Sequence, residues 1–176
     1  MIRAGETDLR TAFRQLAGGG VDALEIVWRE LAHPLHNYAF ALTGDQDEAD
    51  DMLSETLAKL PGIGWRLRWV RNPKAYLFAI VRNAARSRAR RARLGPAEGA
   101  GQEPASPDSS EAALVRAAVL DLPAEQRETV VLHIWGGLTF DEIGRTTGVS
   151  TNTAASRYRY ALQNLRPALG EGDDER

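Results

Sequence analysis

The chain has 176 residues, with 22 Lys and Arg against 24 Asp and Glu for a net charge of -2. Its 43% hydrophobic content is too high for a disordered chain and sufficient for one ordinary domain or two small ones. The absence of cysteine excludes a disulfide framework and thiolate chemistry, and three histidines with no His-x-x-x-His pair supply no zinc-ligand pattern. No apolar stretch is long enough to span a bilayer or to serve as a signal-peptide core, so a soluble cytoplasmic protein with no membrane segment is expected.

From Ala23 to Leu42, residues Leu24, Val27, Trp28, Leu31 and Leu35 recur at helical spacing, with a break expected near Pro34. Asp45, with Glu48 three residues on, caps a helix expected to run through Lys59 and to end at Pro61-Gly62. Residues 45–60 carry six acids and one base. Residues 61–94 reverse this, with ten bases and no acid. Such segregation points to two binding surfaces of opposite preference.

Within the basic stretch, Trp65 to Arg71 reads WRLRWVR. Flat rings can stack on unpaired bases while Arg66 and Arg68 hold phosphates, which suits single-stranded or melting DNA. The alternative for Trp65 and Trp69, four residues apart, is one apolar stripe against the core. Asn72-Pro73 then opens a helix to about Arg93. Its expected buried side is Tyr76, Leu77, Ile80, Val81 and Ala84, and its expected exposed side is Arg82, Asn83 and Arg86.

Gly95 to Ser110 contains three Gly, three Pro and three Ser and no large apolar side chain, and reads as a flexible linker. Beyond it, Pro123 opens a helix to Trp135, where His133 and Trp135 read as packing residues. Thr139 and Glu142 form a capping box, Gly148 makes a turn, and Ser150 or Thr151 caps a last helix to about Leu165. This is helix-turn-helix spacing. On the last helix, Ala154, Tyr158, Ala161, Leu162 and Leu165 form the expected buried stripe. The opposite face offers Asn152, Ala155, Ser156, Arg159 and Tyr160, with Arg157 at its side, suited to base edges and phosphates. The expected fold class is therefore all-α: two small helical domains, residues 1–94 and 111–169, joined by the linker 95–110, the second a helix-turn-helix domain, with an acidic tail at 170–176. No cofactor, metal or catalytic constellation is expected, and the chain reads as a non-enzyme.

Three stretches resemble the RNA polymerase sigma factors of the extracytoplasmic-function (ECF) type, within the sigma-70 superfamily. GDQDEADDMLSETLAKL (44–60) is similar to the region 2.2 helix, NPKAYLFAIVRNAARSRARR (72–91) to region 2.4, and residues 122–165 to region 4. The resemblance implies that Asp51, Ser54, Glu55 and Lys59 dock on the β′ clamp helices of core RNA polymerase. It also implies that Trp65, Arg66, Arg68, Arg82, Asn83 and Arg86 serve the −10 side of promoter DNA, and that Asn152, Thr153, Ser156, Arg157, Arg159 and Tyr160 serve the −35 side. An anti-sigma factor is a further implied partner. The chain departs from the family pattern at Ser54, where glutamine is common, and at Ala154-Ala155, where the family usually has Val-Lys. A conventional helix-turn-helix regulator, or a sigma-like decoy that occupies polymerase without initiating, are the alternatives.

Overall fold

The computed structural model describes residues 4–94 and 111–168, and every regular element among them is helical. The expected linker, 95–110, and the acidic tail, 170–176, lie outside the described residues. The chain divides into two compact units, residues 1–89 and 90–176.

The first unit begins with α1 (Ala4–Ala17). Leu9, Ala12, Phe13 and Leu16 are buried on one of its faces. This three-and-four spacing was legible in the sequence but was not among the expected elements. Next, α2 (Ala23–Thr43) runs unbroken through Pro34, against expectation. Leu31 and Leu35 flank the proline and are buried, each worth roughly 1.5–3 kcal/mol, which together offset the ~3 kcal/mol that an interior proline costs. Gly44, at φ 76, closes the helix in the left-handed region.

The following helix, α3 (Gln46–Ile63), starts as expected: the Asp45 carboxylate accepts the Glu48 N–H at 2.9 Å. It does not end at Pro61-Gly62. Proline tolerates helical φ, and the chain leaves the helix only at Gly64, at φ 60. A 3-10 helix over Gly64–Trp69 follows, anchored by the buried Leu67. Asn72 Oδ1 accepts the Ala75 N–H at 2.9 Å and so caps α4 (Pro73–Leu94). Phe78 of α4 meets Tyr38 of α2 edge-on at 5.3 Å, and Tyr76 meets Phe13 of α1 at 6.3 Å.

The second unit holds α5 (Glu111–Leu120), α6 (Ala124–Ile134), α7 (Phe140–Thr147) and α8 (Thr151–Ala168). The Thr139–Glu142 capping box is present in both directions. Gly148, at φ 79, turns the chain between α7 and α8, and the Ser150 hydroxyl oxygen accepts the Thr153 N–H at 3.1 Å. The turn is tight elsewhere too: a Cβ on Gly144 would lie 2.8 Å from the Val149 carbonyl oxygen. Three elements meet at His133, whose ring stacks on Phe140 at 4.6 Å and meets Tyr158 edge-on at 4.7 Å. Its Nδ1 lies 2.8 Å from the Leu138 carbonyl oxygen, so that nitrogen carries the donated proton. His133 is thus a packing residue, as its place in the sequence suggested. On α8, Ala154, Ala161 and Leu165 are buried and Tyr158 is half-buried. Leu162, expected in the stripe, is 38% exposed. It directly follows Ala161, and one step turns the helix by about 100°, out of the contact.

Candidate nucleic-acid and protein interfaces

The exposed face of α3 is acidic because its buried residues alternate with it at helical period. Met52, Leu53, Thr56, Leu57 and Leu60 point inward, leaving Asp51, Ser54, Glu55 and Lys59 together in solvent. Glu55 is not isolated there. Lys59 Nζ donates to one of its oxygens at 3.2 Å, and Arg88 Nη2 of α4 donates to the other at 2.8 Å. Arg88 also lies 3.7 Å from Glu48. The hydrogen bond from Lys59, then the charge of Arg88, hold the Glu55 carboxyl below its ordinary range. Because the folded-state value is depressed, this contribution to stability is present above the unfolded carboxylate range and is lost on acidification through the folded value.

The 3-10 helix displays both tryptophans. Trp65 is 65% exposed and Trp69 is 73% exposed, which excludes the apolar-stripe alternative. Arg66 and Arg68 are exposed beside them, as are Asn83 and Arg86 on α4. Arg82 is a correction: it is 8% exposed and engaged within the protein rather than displayed. The expected buried side omitted Phe78, whose contact with Tyr38 turns the α4 interior face toward positions 78 and 82, one helical turn apart.

On α8, Asn152, Thr153, Arg159 and Tyr160 are exposed, while Ser156 and Arg157 are half-buried. Arg159 Nη2 donates to Ser156 Oγ at 3.2 Å. The Thr153 hydroxyl is 2.8 Å from Ser150 Oγ and belongs to the helix cap. Arg157, expected at the side of the DNA-facing surface, donates from its Nη2 to the Glu125 carboxylate of α6 at 2.7 Å. Nothing local reveals that pair, since the partners are 32 residues apart. Replacing Glu125 by Gln is expected to free a positive charge. DNA affinity then rises several-fold at low salt, and the salt slope steepens by about one unit. Folding stability falls by less than about 1 kcal/mol, as for an exposed pair. Fluorescence anisotropy with duplex DNA across a salt series checks this; unchanged affinity and slope would contradict it.

Among the described residues, no group of three or more His, Cys, Asp or Glu could hold a metal ion, and no helix is long and apolar enough to cross a membrane.

The second unit is a capped helix-turn-helix, and the first sets an acidic helix face beside a cationic, aromatic one. Comparison with known proteins gives these features a family. The model of Sigma-70 region 2 matches residues 27–94, and that of Sigma-70, region 4 matches residues 112–165. The ECF RNA polymerase sigma factor SigL of Mycobacterium tuberculosis is 32% identical over 162 residues, covering 84% of this chain and 89% of SigL. The ECF RNA polymerase sigma factor EcfG of Rhodopseudomonas palustris is 31% identical over 142 residues, covering 77% and 78%. Among solved structures, the sigma factor RpoE in complex with the anti-sigma factor NepR from Bartonella quintana aligns with a TM-score of 0.64 at 27% identity, covering 79% of this chain and 91% of that one. CnrH, solved with the cytosolic domain of CnrY, shares the fold with a TM-score of 0.65 at 21% identity, covering 94% and 99%. The chain belongs to the ECF sigma factors of the sigma-70 superfamily.

Proposed function

We propose that this protein binds core RNA polymerase and directs it to promoter DNA, dividing the work among three surfaces. The exposed α3 face, Asp51, Ser54, Glu55 and Lys59, docks on polymerase. Trp65 and Trp69, with Arg66, Arg68, Asn83 and Arg86, hold the −10 strand as it opens. Asn152, Arg159 and Tyr160 reach the −35 element in the major groove, and Arg157 joins them when it exchanges Glu125 for a phosphate. The observation that carries this reading is the display of two tryptophans among arginines on the same unit as an exposed acidic helix. A helix-turn-helix repressor needs neither feature. An anti-sigma partner fits the reading, since the relative RpoE was captured with one. The chemistry required is binding and strand separation, with no catalytic group.

The division of labour is tested by a pair of substitutions. Arg159→Ala is expected to weaken upstream-element binding by about 1–3 kcal/mol while polymerase binding persists. Glu55→Lys is expected to abolish polymerase co-purification while leaving duplex binding intact, because it puts a like charge beside Lys59 and Arg88 and inverts the docking face. Equal damage to both activities by both changes, without unfolding, would refute the division. Co-purification without run-off transcript would favour the polymerase-occupying decoy; loss of co-purification in the unaltered chain would favour a conventional regulator.

A further inference from the structure

A groove of about 310 Å3 opens on the first unit between α1 and the 3-10 helix with the turn that follows it. Arg10 and Arg14 of α1 line one side, and Arg68, Trp69 and Arg71 line the other. The buried Leu67 also lines it. Among the described residues, no carboxylate lines the groove and no ion pair joins these four arginines to an acid. Four guanidinium groups at one concavity attract anionic oxygens, and repel one another until such a ligand arrives. Trp69, 73% exposed at the rim, adds a flat face for a ring. Phosphate donors on both walls and a stacking surface on one of them fit a nucleotide unit.

The two walls are fixed independently. Arg10 and Arg14 stand one turn apart on a helix whose other face is pinned by Leu9, Ala12, Phe13 and Leu16, with Phe13 against Tyr76. Yet α1 lies outside both segments that the family models match, so the match gives these arginines no task. We infer that Arg10 and Arg14 bind the phosphates of a nucleotide whose base stacks on Trp69, extending the single-strand surface from the 3-10 helix onto α1. This rests on the −10 reading proposed above and names further residues for it. An unpaired DNA strand supplies such a nucleotide, and so does a free nucleoside triphosphate.

Titration of the full chain with a short single-stranded oligodeoxynucleotide, followed by tryptophan quenching over a salt series, tests the inference. The pair Arg10→Ala with Arg14→Ala is expected to lose about tenfold in affinity at low salt. Two lost phosphate contacts should also flatten the salt slope by about 1.4. Arg10→Lys with Arg14→Lys should restore the slope, because a point charge still neutralises phosphate. The corresponding glutamine pair measures the same loss should the alanine pair fail to fold. A parallel titration with a nucleoside triphosphate separates the sources: saturable quenching that the alanine pair abolishes assigns the groove to free nucleotide, and quenching by oligonucleotide alone assigns it to the strand. Unchanged affinity and slope in a variant that unfolds at the wild-type temperature would overturn the inference. Run-off transcription by the unaltered chain keeps the two ideas apart, since active protein with an indifferent Arg10–Arg14 pair leaves the promoter reading standing.

Discussion

Replacing Trp65 and Trp69 together by alanine should leave the fold and polymerase binding intact and reduce promoter-directed transcription by about thirty-fold or more. The two rings are the most exposed tryptophans in the protein, so their removal opens no cavity. Base–aromatic stacking is worth roughly 1–3 kcal/mol per base, and two such contacts at the lower figure already correspond to that factor. The defect should vanish on a template whose −10 segment is pre-melted only if the rings act in opening alone. If they also hold the open strand, part of the loss persists there. Permanganate footprinting of unpaired thymines reports the open state directly. Full transcription by a folded double variant would remove the stacking role.

The second large effect concerns the second unit. Gly144→Val should unfold the helix-turn-helix, or destabilise it by about 2 kcal/mol or more, and should abolish upstream-element binding. Even a methyl group at this position would sit 2.8 Å from the Val149 carbonyl oxygen and 3.4 Å from the Ser150 carbonyl carbon, and both are backbone atoms of the turn. Valine adds branching to that clash, and side-chain rotation cannot relieve it. Gly148 makes a useful contrast. A Cβ there meets nothing within 4 Å, so Gly148→Ala suffers only from its φ of 79°, about 1–2 kcal/mol. Thermal unfolding by circular dichroism should rank the two in that order. The opposite order would mean that the α7–α8 turn relaxes away from Gly144 more readily than the backbone packing implies. In either variant the first unit, whose core shares no residue with the turn, should keep its polymerase binding.

Much of this architecture was written in short-range signals. The caps at Asp45, Asn72 and Thr139 all form, because a side chain three residues from its amide needs nothing beyond the local turn. The exposed α3 face follows from the spacing of its apolar residues alone. The role of Gly148 follows likewise from its place between a capped short helix and a longer one. Helix α1 is equally legible through the spacing of Leu9, Ala12, Phe13 and Leu16, which leaves Arg10 and Arg14 on its other face.

What escaped local reading depends on partners distant in the chain. The burial of Arg82 follows from Tyr38 seating Phe78, forty residues further on, and nothing in α4 specifies which of two adjacent faces its neighbours will cover. The same holds for Arg157 on Glu125, and for Arg88 on Glu55, 33 residues away. The continuity of α2 through Pro34 is another instance, since burial of the flanking leucines outweighs a local penalty. Periodicity tells a helix that it must bury a side. The choice of side, and which charges are thereby paired or left for a ligand, comes from the packing of elements the chain brings together from afar.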